Sequence, residues 1–175
     1  MKNIILKFKI RYSNPKTRAK YLKQKGIVDI GEGCEIFNGV SFGSEPYLVK
    51  LGNKVRIASG VRFVTHDGGL WVIRNMGWSP NADKMGTITI GDNVFIGFNA
   101  IVMPGVSIGS NVVIGAGSVV SKNIPDNTVV AGVPAKEICS IEEYYNKNKH
   151  RLYETKHLSY EEKRNYFLNE FNLNK

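Results

Sequence analysis

One histidine stands apart among the residues of this chain that could do chemistry. His66 lies in the segment VTHDGG, within the longest stretch that interrupts a regular repeat. A neutral imidazole, with an ordinary pKa of about 6.5, can take a proton from a hydroxyl group near neutral pH. Asp67 could orient the ring or contact a substrate, but an Asp before Gly-Gly is equally a turn former. We interpret His150 and His157 as ordinary surface residues of a helical tail.

A six-residue repeat provides the scaffold for this histidine. Residues 90–125 read IGDNVF IGFNAI VMPGVS IGSNVV IGAGSV VSKNIP, and eleven of the twelve residues in the first and fifth slots are apolar. Only 42% of the chain is apolar, so composition alone does not explain the pattern. Positions six apart share no face of a helix, at about 100° per residue, whereas short strands accommodate an even period. We therefore predict an all-β fold, a parallel β-helix whose stacked coils bury a continuous core.

The repeat begins at Ile30 and its register breaks twice. Three extra residues bulge out around 44–50, and a much longer insertion occupies 65–87, which we predict to be a projecting loop. Long loops on a rigid scaffold are where binding and chemistry usually collect. His66 lies where the chain enters this loop.

The sequence outside the repeats predicts short helices at both ends. Cap and stop signals favour helices over 13–26, 140–150 and 159–172. The predicted organisation is a basic N-terminal arm and short helix over 1–29, the β-helix with its loop over 30–138, and a helical extension over 139–175.

The net charge of +9 is concentrated near the N-terminus. Residues 1–25 hold nine of the 24 Lys and Arg residues and no acid, so the remaining 15 bases equal the 15 acids. No basic stripe with interleaved aromatic residues runs through the repeats, which argues against a nucleic-acid partner. Residues 1–12, MKNIILKFKIRY, leave two interpretations open. They could contact an anionic membrane or a lipid-linked glycan, or they could pack on this domain or a neighbouring subunit.

The cysteines and the apolar runs indicate the compartment. Cys34 and Cys139 form no disulfide framework, and Cys34 falls in a fifth slot, which favours a buried reduced thiol. No apolar run approaches the ~18 residues of a membrane span, and no signal peptide is apparent. We expect a cytoplasmic protein.

The segment TITIGDNVFIGFNAIVMPGVSIGSNVVIGAGSVVSKNIPDNTVVAGVPAKEI, residues 87–138, resembles the left-handed β-helix acetyltransferases. It is most similar to the maltose and galactoside O-acetyltransferases and to capsular-polysaccharide acetyltransferases, and a looser likeness extends back to residue 30. The resemblance implies a left-handed winding and a homotrimer that binds acetyl-CoA, with no metal, in clefts between adjacent subunits. It implies O-acetyl transfer to a hydroxyl of a sugar or polysaccharide precursor, with His66 as the general base.

The same resemblance implies two sets of binding residues. Those of the acceptor pocket are Asn38 and Glu45, and we add Asp67, Trp71 and Arg74 as loop residues that could contact a sugar. Glu45 could instead fix the tautomer of the imidazole, and the loop tryptophans could serve trimer packing as well as sugar stacking. Those of the coenzyme site are Phe95, Phe98, Ala116, Gly117, Ser121, Lys122 and Lys136. The two lysines would meet the phosphates of CoA, and the backbone N–H of Phe98 would hold the thioester oxyanion.

Three other functions are suggested by the same features of the sequence, and they fare differently. An antibiotic-modifying acetyltransferase also has a histidine and a projecting loop, so it remains an alternative. A non-catalytic hexapeptide-repeat binding or structural protein remains a second. A γ-class carbonic anhydrase needs three zinc-ligating histidines, and the repeats offer one, so we reject that function.

Overall fold

The computed structural model describes residues 12–173. Residues 1–12, for which the sequence left membrane contact and packing against protein both open, therefore lie outside the described residues except for Tyr12. The chain forms two compact units, with the break between Tyr144 and Tyr145. None of the helices in residues 12–173 combines the length and the apolar character needed to span a bilayer.

Thirteen short strands of the described chain form three sheets. In order across each sheet, sheet one contains β1 (Asp29–Ile30), β3 (Val49–Leu51), β6 (Ile88–Ile90) and β9 (Ser107–Ile108). Sheet two contains β13 (Lys136–Ser140), β12 (Thr128–Ala131), β10 (Val113–Ile114), β7 (Phe95–Ile96), β4 (Arg56–Ile57) and β2 (Glu35–Ile36). Sheet three contains β11 (Val119–Val120), β8 (Ile101–Val102) and β5 (Arg62–Phe63).

The pairing of these strands makes a β-helix. All neighbours but the last pair of sheet two are parallel and in register, so that Ile57 lies beside Ile96 and Ile96 beside Ile114. The chain visits sheets one, two and three in turn, and each circuit is one coil. Only the last pair, β12 with β13, is antiparallel among the described strands.

The repeat slots determine what each coil buries. First-slot side chains such as Ile36, Ile57 and Ile96 are fully buried, and so are fifth-slot side chains such as Val55 and Val94. Cys34 is buried and free, in its fifth slot. Parallel strands stack equivalent residues directly over one another, so a six-residue period produces continuous apolar columns inside the prism.

The residues in the fourth slot of the six-residue repeat form the turns at the corners of the β-helix. Nine fourth-slot residues adopt a left-handed φ: Gly33, Gly39, Lys54, Gly60, Asn93, Asn99, Gly105, Asn111 and Gly117. Asn and Gly tolerate this conformation better than other residues do, which explains their recurrence at that slot.

Helix α1 (Pro15–Gln24) packs on the first coil. Asn14 caps it by accepting a hydrogen bond from the Thr17 N–H, and Ala19 and Leu22 are buried. The buried Arg18 guanidinium donates to the Ile36 carbonyl at 2.6 Å. That carbonyl belongs to β2, the edge strand of sheet two, so Arg18 supplies a donor where no further strand does.

Three more helices lie in the loop and the tail. Helix α2 (Leu70–Asn75) lies within the predicted loop, and α3 (Ile141–Asn148) follows β13. Helix α4 (Tyr160–Glu170) begins with a capping box between Ser159 and Glu162. Short 3-10 helices occupy Pro46–Leu48 and Lys149–Arg151. Neither α2 nor β13 was expected from the sequence, because both lie outside the hexads and carry no strong periodic signal of their own.

Candidate active site

His66 lies at the neck of the projecting loop. The chain leaves sheet three at residues 65–67 and returns antiparallel to itself at residues 84–86. The Asp67 N–H donates to the Lys84 carbonyl, and the Gly86 N–H donates to the Thr65 carbonyl, each at 2.9 Å. His66 itself pairs with Met85 across this neck. Both ends of the loop thus fix the His66 backbone, while its side chain remains 45% exposed.

Glu45 approaches His66 from the preceding coil. The ring of Phe42 stacks on that of Phe63 with centroids 5.1 Å apart, so one circuit takes 21 residues at this corner. Glu45 precedes His66 by the same 21 residues, and its Oε2 lies 3.1 Å from His66 Nδ1. The first register break therefore contains Glu45, and stacking of the coils places its carboxylate beside His66, which lies at the start of the second register break.

Three donors converge on this one carboxylate oxygen. The hydroxyls of Thr65 and Ser44 each donate to Glu45 Oε2 at 2.8 Å, and His66 Nδ1 is the third neighbour. These hydrogen bonds favour the charged carboxylate and so hold the pKa of Glu45 below its ordinary value. The hydrogen bond from Thr65 contributes most to this lowering. The carboxylate can only accept, which assigns the proton of the neutral imidazole to Nδ1. The lone pair is then on Nε2, which has no hydrogen-bond partner among residues 12–173.

Asp67 makes a different set of contacts. Its Oδ1 accepts from the Gly69 N–H at 2.9 Å, and its Oδ2 lies 3.2 Å from Lys84 Nζ. The Gly69 hydrogen bond and then Lys84 keep the pKa of Asp67 below its ordinary value. The structure thus brings Glu45, and not Asp67, into contact with the imidazole, and Asp67 holds the turn that begins α2.

A cleft of about 570 Å³ opens beside the histidine. Its lining combines both ends of the loop with turns of later coils: Val64, His66, Asp67, Gly68, Lys84, Met85, Gly86, Met103, Pro104, Gly105 and Ser121. The walls are mostly apolar, with His66, Asp67 and Lys84 as the titratable groups. Such a cleft, with few polar groups, is typical of a site that orients a small substrate.

A second cleft of about 330 Å³ adjoins the first through Ser121. Lys122 and Lys136 line it, together with Pro125, Pro134 and other residues of the last coil and β13. Both lysines are exposed, so their ammonium groups are accessible to a phosphate. Three of the residues predicted for the coenzyme, Ser121, Lys122 and Lys136, are therefore together in one cleft next to His66.

The other four predicted coenzyme residues lie elsewhere on the prism. Phe98 lies in the turn from β7 to β8, and Ala116 and Gly117 lie in the turn from β10 to β11. These turns form the corner between sheets two and three, which we call the Phe98 corner. Ser121 and Lys122 follow β11 at the corner between sheets three and one, which we call the His66 corner. Phe95 lies on sheet two, and its side chain is 40% exposed.

The remaining predicted acceptor residues do not meet the imidazole. Asn38 is in the turn after β2, where its Oδ1 accepts from the Gly39 N–H at 3.0 Å. Arg74 Nη1 donates to the Ala82 carbonyl at 2.7 Å and lies 3.1 Å from Asp83 Oδ1, so it closes the loop on itself. Trp71 is 66% exposed on α2. Their roles in acceptor binding stay predictions.

Sequence reasoning missed Ser44, Thr65 and Lys84. A signal for the first two was present in the apolar columns: Ile30 to Leu51, Ile36 to Ile57 and Phe42 to Phe63 are all 21 residues apart. That spacing places residue 44 over residue 65 and residue 45 over residue 66. Lys84 carried no such signal, because it lies on the far strand of the neck. Within residues 12–173 no group of three His, Cys, Asp or Glu side chains could hold a metal ion.

Comparisons with known proteins agree with this architecture. Residues 87–122 match the family described as bacterial transferase hexapeptide (six repeats). The chain is 51% identical over 150 residues to Protein CapG of Staphylococcus aureus, over 85% of this chain and 86% of CapG. A galactoside acetyltransferase in complex with coenzyme A aligns with a TM-score of 0.55 and 28% identity, over 90% of this chain and 86% of that chain.

A second solved structure carries the acetylated coenzyme. It is a hexapeptide-repeat acetyltransferase from Vibrio cholerae O1 biovar eltor complexed with acetyl coenzyme A. It aligns with a TM-score of 0.57 and 25% identity, over 78% of this chain and 83% of that chain. The resemblance found in residues 87–138 is confirmed by these relatives. This chain belongs to the hexapeptide-repeat acetyltransferases, and it is an acetyltransferase whose co-substrate is acetyl-CoA.

Proposed function

We propose that this enzyme transfers the acetyl group of acetyl-CoA to a hydroxyl of a sugar or polysaccharide precursor, with His66 as the general base. The observation that carries the proposal is the contact of His66 Nδ1 with Glu45 Oε2, beside a cleft of substrate size. An Nδ1 proton donated to a carboxylate leaves Nε2 basic, and Nε2 is the nitrogen available to a hydroxyl in the cleft.

The chemistry follows from that tautomer. As the acceptor oxygen attacks the thioester carbonyl, His66 Nε2 takes the hydroxyl proton, and Glu45 stabilises the imidazolium that forms. The oxyanion of the tetrahedral intermediate would accept a hydrogen bond from the backbone N–H of Phe98 in an adjacent chain. When the C–S bond breaks, the imidazolium returns the proton to the departing thiolate, so the products are an acetyl ester and free CoA.

Direct transfer is favoured over an acyl-enzyme because of how Ser44 is placed. Its Oγ is 3.3 Å from His66 Nδ1, the nitrogen that also faces Glu45. A serine nucleophile needs the basic nitrogen, with the carboxylate on the opposite side of the ring. Ser44 and Glu45 share one side, so Ser44 serves the carboxylate and not the reaction.

The coenzyme would lie along the cleft that Lys122 and Lys136 share with Ser121. CoA carries a pyrophosphate and a 3′-phosphate, and exposed lysines at the mouth of a cleft suit these groups. The cleft shares Ser121 with the one that contains His66, so a coenzyme bound there could extend its acetyl end toward the imidazole.

A homotrimer with a left-handed winding is the assembly that we infer. The predicted coenzyme residues divide between the His66 corner and the Phe98 corner, which are separated by sheet three. One chain cannot bring both corners to one cleft, but two adjacent chains of a ring can, since one corner of each would face the other.

A histidine substitution tests the proposed function. His66→Ala should lower kcat for acetyl transfer roughly a hundredfold or more, since it removes the base, while the KM for acetyl-CoA stays near that of the parent. The assay follows release of the CoA thiol while free and lipid-linked mono- and oligosaccharides are screened as acceptors, with aminoglycoside and other antibiotics as a competing panel. His150→Ala is the matched control and should keep full activity.

Each outcome of the screen has a definite meaning. Turnover only with antibiotics would replace the sugar acceptor with a drug. Unchanged turnover in His66→Ala would remove the base from the mechanism. No turnover by the parent with any acceptor would favour a binding role.

A further inference from the structure

We propose that Thr65 is a positioning residue of this enzyme, whose buried hydroxyl holds the Glu45 carboxylate against His66 before any substrate binds. The inference deepens the proposed function and rests on it for the role of the histidine. The sequence alone predicted no catalytic or binding role for Thr65.

The burial of Thr65 is the first observation. Its side chain is 0% exposed, although its neighbour His66 is exposed. Its Oγ1 donates to Glu45 Oε2 at 2.8 Å, so the single hydroxyl proton is engaged in the hydrogen bond to the carboxylate. A buried hydroxyl with a fixed partner has little freedom to turn elsewhere, because an unmade hydrogen bond in that place is costly.

The backbone of Thr65 is equally constrained. Its carbonyl accepts from the Gly86 N–H at the neck of the loop. A Cβ added to Gly43, in the turn above, would approach Thr65 Oγ1 to 2.9 Å, so the preceding coil packs directly on the hydroxyl. Thr65 is thus fixed from the loop side and from the coil above it.

The other two donors to Glu45 Oε2 are less confined than Thr65. Ser44 is exposed, and the His66 side chain is 45% exposed, so neither is enclosed by the fold. Thr65 is therefore the one donor of the three that can hold the carboxylate in the same place throughout the catalytic cycle. Keeping a catalytic carboxylate in its place is what a buried supporting residue does for an active site.

Three substitutions separate this role from simple packing. Thr65→Val removes the hydroxyl and keeps the shape, Thr65→Ser keeps the hydroxyl and loses a methyl group, and Thr155→Val changes a buried threonine of the C-terminal unit. We expect Thr65→Val to lower kcat roughly tenfold, because small displacements of catalytic groups are costly, while the KM for acetyl-CoA does not change. Thr65→Ser should recover most of the lost rate, and Thr155→Val should match the parent.

The tautomer of His66 gives a readout that packing does not move. The chain has three histidines, so the ¹⁵N resonances of His66 in labelled protein can be assigned by their loss in His66→Ala. In the parent and in Thr65→Ser, neutral His66 should carry its proton on Nδ1. In Thr65→Val, the signals should shift toward the Nε2-protonated form, which is the form expected of an imidazole without its carboxylate.

The results distinguish this inference from the proposed function. An unchanged His66 tautomer in Thr65→Val, or a rate loss that Thr65→Ser does not restore, would overturn the positioning role. Because the spectra need neither acetyl-CoA nor an acceptor, a shift in Thr65→Val supports the role even if no acceptor is acetylated. A parent enzyme without acetyl transfer would count against the proposed function alone.

Discussion

At the scale of single residues, the candidate site depends on one carboxylate oxygen. Glu45 Oε2 accepts from Thr65 and Ser44 and lies 3.1 Å from His66 Nδ1. These contacts favour the ionised carboxylate, and the pKa of Glu45 is accordingly below its ordinary value. The charge matters as much as the geometry, because an imidazolium develops at His66 during the proposed transfer.

Glu45→Gln tests the charge with little change in shape. The amide still fills the place of the carboxylate but cannot stabilise the imidazolium, so we expect kcat to fall roughly a hundredfold. The KM for acetyl-CoA should stay near that of the parent, because the lysines that we propose to bind CoA, Lys122 and Lys136, are unchanged. Steady-state kinetics measure both constants.

A matched control for this substitution is Glu32→Gln. Glu32 is exposed on the first coil and pairs with Lys23, away from the neck of the loop. Its loss should leave kcat unchanged. Equal rates for Glu45→Gln and Glu32→Gln would mean that the contact seen at His66 has no part in catalysis.

At the scale of the coil, close approach of backbones decides which residues the corners can hold. Second-slot glycines stack at the corner between sheets one and two, and a Cβ on Gly91 would lie 2.7 Å from the Gly109 carbonyl carbon. The backbone at Gly109 cannot move aside for this carbon as a flexible side chain could. The second-slot glycines at this corner are therefore required by the close spacing of the coils and not only by the conformation of the turn.

Gly91→Ala should destabilise the folded protein by about 2 kcal/mol, the usual cost of forcing an extra carbon into a packed site. Chemical denaturation measures the free energy of unfolding. Gly68→Ala is the matched control, since a Cβ on Gly68 meets nothing within 4 Å. If both variants unfold at the same denaturant concentration as the parent, the coils are not as closely stacked at this corner as described.

At the scale of the whole molecule, the arrangement of the predicted coenzyme residues is the informative feature. The His66 corner carries Ser121 and Lys122, and the Phe98 corner carries Ala116 and Gly117. A cleft that uses both corners needs two chains, so two different inactive variants should complement each other in one assembly.

Complementation tests the shared cleft directly. His66→Ala removes the base, and Ala116→Trp should block the coenzyme with an exposed bulky side chain; each alone should be inactive. Unfolding and refolding a one-to-one mixture should restore about a quarter of the parent activity, the share of clefts that take both intact corners at random. Sedimentation should give a mass three times the 19.5 kDa of the chain. A mixture with no activity, or a monomer by sedimentation, would refute the shared cleft.

Much of the fold could be predicted from sequence, because the hexad is a local rule that each coil repeats. Apolar first and fifth slots, Gly and Asn at the corners, and the capping signals of α1 and α4 all act over a few residues. The helix in the loop and β13 lay outside that rule and were not predicted.

Sequence alone determined the β-helix and its two register breaks, since spacing and residue type express these directly. His66 as the base stays a prediction, made from its place at the second break and from the family resemblance. Only the tertiary structure decided which carboxylate reaches the imidazole. Asp67 is next to His66 in sequence, but its backbone follows the neck of the loop and its side chain holds a turn. Glu45 is distant in sequence, yet stacked coils bring residues one circuit apart into contact, so it lies 3.1 Å from the ring.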